Sequence, residues 1–114
     1  MKKSLRDFLE DILKYAKIIQ EQTMNLSFEE FEQNEERVLS LMMALAIIGE
    51  ASKNIPDDFR CLYPQIEWRK MAGMRDKIIH DYSDVRLITL RDTSQKNVPD
   101  LIVKMTTIIN HQED

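Results

Sequence analysis

Apolar residues recur every three to four positions near the start of the chain: Leu5, Phe8, Leu9, Ile12, Tyr15, Ala16 and Ile19. Lys14, Lys17, Gln20 and Glu21 fall largely on the other side. That spacing predicts an amphipathic helix over about 4–24, capped by Ser4 with Asp7 in its first turn. Asn25 and Leu26 break it. Ser27-Phe28-Glu29-Glu30 matches the capping-box pattern and predicts a short helical turn through Phe31. A second long helix is expected from near Asn34 to about Asn54. Its middle, Leu41 to Ile48, is apolar on all sides, as in a helix central to a bundle or covered by a second protomer. Pro56 closes it. Asp57 to Tyr63 predicts a short helix ended by Pro64. A third long helix is expected from Trp68 to about Asp81. Its apolar face, followed to Tyr82, is Trp68, Met71, Ala72, Ile78, Ile79 and Tyr82. Ser83-Asp84 should break that helix and cap the next. Val85 to Leu90 has strand propensity but no partner strand, so it reads as helix. Pro99 suits the first turn of a last helix, with Val98, Leu101, Ile102, Met105, Ile108 and Ile109 inward. The tail from His111 is polar and expected to fray. Together these elements predict an all-α antiparallel bundle of four to five main helices.

Composition narrows the picture. The 114 residues suit one domain over 1–114. Two glycines and three prolines are sparse punctuation, in keeping with helices. A net charge of −4 excludes a broad basic surface for duplex nucleic acid. A local basic site remains, in Arg69, Lys70, Arg75 and Lys77. The acidic run Glu29, Glu30, Glu32, Glu35 and Glu36 reads as a solvated face. Cys61 stands alone, so it is read as a packing residue and not as part of a disulfide or metal cluster. His80 and His111 lack companion carboxylates at zinc-site spacing, and no cofactor is implied. The N-terminus leads into an amphipathic helix, not a signal-peptide core. Leu41 to Ile48 is too short to span a bilayer. A cytoplasmic protein without membrane attachment is therefore expected.

The stretch Trp68 to Tyr82 carries the candidate chemistry. Arg75 falls within its apolar face, where a guanidinium needs a partner. Glu50, after Gly49 at the end of the apolar run of the second helix, is either exposed or paired with Arg75. Gly49 lets a neighbouring backbone approach closely. His80 lies four residues from Asp76, which could orient its ring or raise its pKa. It lies five from Arg75, roughly 140° round a straight helix. Arg75 and His80 meet only if the helix loosens at His80 or if two copies face a shared groove across a two-fold axis. Taken singly, Arg75 suits a structural ion pair, His80 a helix C-terminus and Tyr82 core packing. Taken together, they suit chemistry on a phosphate. Histidine moves protons near neutral pH, and arginine stabilises developing phosphate charge. RNA supplies its own nucleophile in the 2′-OH, so its cleavage needs no metal.

Arg75-Asp76-Lys77-Ile78-Ile79-His80-Asp81-Tyr82 has the form R-x4-H-x-Y with a polar residue after the arginine. It resembles the signature of HEPN ribonucleases, specifically the HepT-like toxins of toxin–antitoxin pairs. Ile47-Ile48-Gly49-Glu50-Ala51 followed by Lys53, the run Trp68 to Arg75, and Val98-Pro99-Asp100-Leu101 are similar to further family segments. The segment Leu90 to Thr93 departs from the family in being more polar. The resemblance covers nearly the whole chain. It implies a homodimeric, metal-independent endoribonuclease acting on RNA, with Arg75 and His80 catalytic and Asp76 in support. It also implies an MntA-type nucleotidyltransferase antitoxin that transfers AMP to Tyr82. The alternative reading is a non-catalytic HEPN module that binds such a partner or a nucleotide.

Overall fold

The computed structural model describes residues 2–112 and is helical, with no strand among them. α1 spans Leu5–Thr23, closed at its start by a reciprocal cap between Ser4 and Asp7. Asn25, at φ 60°, turns the chain in the left-handed region that asparagine tolerates. α2 (Phe28–Glu32) opens on the predicted Ser27–Glu30 box, both bonds 3.1 Å. The serine's backbone and hydroxyl bonds hold the Glu30 carboxyl below its usual range. α3 (Glu35–Lys53) is capped by the Asn34 side chain. α4 (Asp57–Leu62) follows Pro56, α5 spans Trp68–His80, α6 Leu87–Asp92 and α7 Val98–Asn110.

α1 packs between α3 and α7, and α5 packs on the other flank of α3. Gln22, late in α1, accepts a 3.2 Å bond from Ser40, early in α3, so these two helices run antiparallel. The core is built from the predicted stripes: Leu9, Ile12, Ala16 and Ile19 of α1, Leu41 and Ile48 of α3, and Met105 and Ile108 of α7. Most of the all-round apolar stretch of α3 is buried, but Met43 within it and Leu39 just before it remain about 60% exposed.

Two expectations need correction, those for Ser83-Asp84 and for Cys61. Ser83 and Asp84 do not cap α6. They lie in a 3-10 turn, Tyr82–Asp84, and the Asp84 carboxylate is drawn to Lys77 at 3.5 Å. α6 therefore begins later, at Leu87, with no side-chain cap. It also does not end before α7: a π-helical turn, Thr93–Asn97, joins the two. Proline lacks an N–H and crowds the carbonyl four residues back, so the wide turn before Pro99 relieves that clash. The turn presents Gln95, whose amide donates to Thr23 O (2.8 Å) and Leu26 O (2.7 Å), tying it to the end of α1. Cys61 is exposed, because short α4 offers Phe59 to the core instead, against the Tyr63 ring. At the start of the tail, past the end of α7, Gln112 bonds back to Ile108 and Ile109. The last two residues lie outside the described range. The polar Leu90–Thr93 segment packs by burying Leu90 fully and laying Arg91 over the Phe28 ring at 5.6 Å. No helix among the described residues is long and apolar enough to cross a membrane.

Candidate active site

Gly49 sets the position of Arg75. A Cβ added to this buried glycine would lie 2.2 Å from Arg75 Cβ and 2.5 Å from the Met71 carbonyl oxygen. The missing side chain thus lets α3 and α5 touch, and the arginine stem lies in the gap. Trp68 anchors the start of α5, buried and donating from its indole to Tyr63 O at 3.0 Å.

From that packed stem the guanidinium reaches the rim, 24% exposed. Its Nε pairs with Glu50 Oε1 at 3.3 Å, and its Nη1 donates to Asp76 Oδ1 at 3.1 Å. Both readings of Glu50 therefore hold: it is paired with Arg75 and also 55% exposed. Asp76 does not support His80. Its Oδ1 accepts from Lys53 Nζ at 2.9 Å as well as from Arg75. The Lys53 bond, then the Arg75 bond, holds the Asp76 carboxyl below the usual aspartate range. Lys53 is the residue whose place in the site the sequence reading missed. The signal was available, since Glu50 and Lys53 are three apart and share one face of α3.

His80 is the last helical residue, exposed and without a hydrogen-bond or ion-pair partner among the described residues. α5 stays regular up to it, with Asp81 N donating to Lys77 O at 2.8 Å. The helix does not loosen before His80, so within one chain Arg75 and His80 diverge as the 3.6-residue period dictates. The break comes one residue later, at Asp81 (φ −152°, ψ 50°). Tyr82 therefore leaves the helix and its phenol sits on the 3-10 turn, 70% exposed. Ile79, half exposed, likewise leaves the predicted core face. The inward stripe of α5 is Trp68, Met71, Met74 and Ile78, and Ile79 stands about 100° beyond it.

Arg75, Asp76, Glu50 and Lys53 thus form one rim cluster, while His80 stands free at the end of α5 and Tyr82 on the turn after it. An apolar-floored groove of about 440 Å³ beside α5, between Met71, Met74, Leu45 and Ile48, includes none of these six. Among the described residues no group of three or more His, Cys, Asp or Glu is placed to hold a metal ion. The side chains present can stabilise negative charge and exchange protons.

The family model for Ribonuclease HepT-like proteins matches residues 12–108. The chain belongs to the HepT-like ribonuclease family. It is 46% identical over 101 residues to a protein of Thermococcus cleftensis named as a probable ribonuclease HepT, covering 89% of this chain and 92% of that one. It is 38% identical over 112 residues to a provisionally named RNase of Methanocaldococcus jannaschii, covering 98% and 93%. A provisionally named RNase of Caldanaerobacter subterraneus is 34% identical over 111 residues, covering 97% and 99%. No solved structure matches the chain at a significant level. The all-α bundle fits the HEPN-like fold that the R-x4-H signature implies.

Proposed function

We propose that this HepT-like chain is a metal-independent endoribonuclease toxin, one domain over 1–114, acting in the cytoplasm as a homodimer. The observation that carries the reading is a guanidinium fixed by close helix packing, on the same helix whose free end presents an unpartnered imidazole. Arg75 holds the scissile phosphate and its developing charge. A His80 imidazole takes the proton of the 2′-OH, whose oxygen attacks phosphorus. A second imidazole, as its cation, gives a proton to the leaving 5′-oxygen. The products are a 2′,3′-cyclic phosphate end and a 5′-OH end. A two-fold pair of α5 helices supplies both histidines and brings each Arg75 towards the other copy's His80. Exposed Leu39, Met43 and Ile79 support a surface covered by a second copy.

Control by an MntA-type nucleotidyltransferase fits the exposed Tyr82. The phenol oxygen attacks the α-phosphorus of ATP, pyrophosphate leaves, and the tyrosine carries AMP. The added bulk and charge beside the site would exclude RNA.

Cleavage of RNA, and not of DNA or 2′-O-methyl RNA, is the test, run in excess EDTA with wild type, Arg75→Ala and His80→Ala. Equal cleavage by all three would remove the catalytic assignment. The divergence of Arg75 and His80 within one chain favours the second reading, a non-catalytic module that binds a nucleotidyltransferase or a nucleotide. That reading predicts binding without product. Intact mass after incubation with the antitoxin and ATP tests the modification, which Tyr82→Phe should abolish.

A further inference from the structure

Lys53 lies on α3, outside the R-x4-H segment, yet it reaches across to α5. Its ammonium is bound to the same carboxylate oxygen that Arg75 uses, at 2.9 Å against 3.1 Å. The two cations are therefore no more than about 6 Å apart. One exposed carboxylate oxygen serves both in the free protein. Lys53 is 41% exposed and Asp76 48%, so neither the ammonium nor its partner is sealed from an incoming anion. Two cations that close can contact consecutive phosphates of a single strand, given the reach of the lysine stem. An ammonium on a flexible stem can follow such a phosphate as a point charge, while the packed guanidinium stays in place.

We propose that Lys53 is a phosphate-binding residue of this site, exchanging Asp76 for the RNA phosphate next to the one that Arg75 engages. The inference rests on the ribonuclease reading and assigns Lys53 the strand, not the bond-breaking step. Lys53→Ala should therefore raise KM and leave kcat within about twofold.

The experiment measures binding of a 2′-O-methyl oligoribonucleotide, which cannot be cleaved, as a function of salt. Each phosphate contact to a single strand contributes about 0.7 to the slope of log K against log salt. Lys53→Ala should lower the slope by about 0.7, which at 0.1 M salt is about a fivefold loss of affinity. Lys53→Arg should restore it. Lys17→Ala, an exposed lysine on α1, removes the same charge elsewhere and should leave the slope unchanged.

Lys53 could instead act only by holding Asp76. The double-mutant cycle decides this. In an Asp76→Ala background, Lys53→Ala should still lower the slope by about 0.7. Loss of the effect in that background, an unchanged slope in the single variant, or an equal change in Lys17→Ala would each overturn the proposal. Arg75→Ala keeps this failure separate from that of the ribonuclease reading. If Arg75→Ala weakens binding and abolishes cleavage while Lys53→Ala binds as wild type, only the role of Lys53 falls. If the wild type neither binds nor cleaves RNA, both fall.

Discussion

Gly49→Ala tests the contact that places Arg75. The new Cβ would sit 2.2 Å from Arg75 Cβ and 2.5 Å from Met71 O. Carbon atoms rest at about 3.5–4.0 Å, so α3 and α5 must part by roughly 1.5 Å. Neither obstacle can swing away, since one is a helix carbonyl and the other is the first side-chain carbon. Overpacking of this kind costs about 1–3 kcal/mol. Alanine returns up to about 1 kcal/mol through helix propensity. The net expectation is a loss of about 1–2 kcal/mol, or a Tm lower by about 4–8 °C for a chain of this length. Activity should fall further than stability, because a 1 Å displacement of a positioned group can cost about 10²-fold in rate.

Gly73→Ala is the matched control. It lies in the exposed middle of α5, and nothing comes within 4 Å of its added Cβ. The same change there should stabilise by up to about 1 kcal/mol. Thermal and urea unfolding at one protein concentration, with RNA cleavage measured on the same samples, read out all three quantities. Gly49→Ala with wild-type stability and wild-type cleavage would refute the claim that this contact sets the arginine. Equal destabilisation by Gly73→Ala would show an effect of helix glycines in general, not of the helix contact.

His80→Ala should leave stability within about 0.5 kcal/mol, since the ring has no partner to lose, while RNA cleavage falls by at least about 10²-fold; cleavage at the wild-type rate would contradict it. Lys53→Met should raise the Asp76 pKa towards the ordinary aspartate range, because the Lys53 bond is the larger cause of its depression; carboxyl NMR titration checks this. A depressed carboxyl favours the charged folded form, so its contribution to stability is present above the ordinary aspartate pKa and is lost as pH falls through the depressed value. Gln95→Leu removes both bonds to the end of α1 and should cost about 1–3 kcal/mol by leaving two carbonyls without that donor; an unchanged urea midpoint would refute it.

The helical plan was legible because its determinants are local. The serine caps, the period of α1 and the prolines all act within a few residues, and the observed elements follow them. Two features lay beyond local pattern. The bonds that Gln95 makes from the π turn before Pro99 join residues about 70 apart in sequence, so no local pattern announces them. The allegiance of Asp76 depended on α3. Spacing along α5 offered His80 as its neighbour, but a cation from another helix holds the carboxylate instead. The motif residues were found because their spacing is a sequence property. Which of them touch is a tertiary property, and the sequence hinted at it in two places, the close approach at Gly49 and the pairing of Glu50 with Arg75.

The contrast between the two motif residues bears on how the site would work. Arg75 has a packed stem and two carboxylate partners, so little freedom remains to be lost when a phosphate arrives. His80 has neither, and acid–base transfer requires its ring to be held within hydrogen-bond reach of the proton it moves. On the proposed reading, the strand and a second copy supply that restraint, and the single chain carries an arginine ready to bind and, apart from it, a histidine not yet aimed. Such a division would tie activity to assembly. On the same reading the site is open until assembly is complete, and the Tyr82 phenol, 70% exposed two residues after His80, would be reachable by a modifying enzyme. A charge added there would oppose the one step a preorganised Arg75 cannot perform alone, the approach of the polyanion.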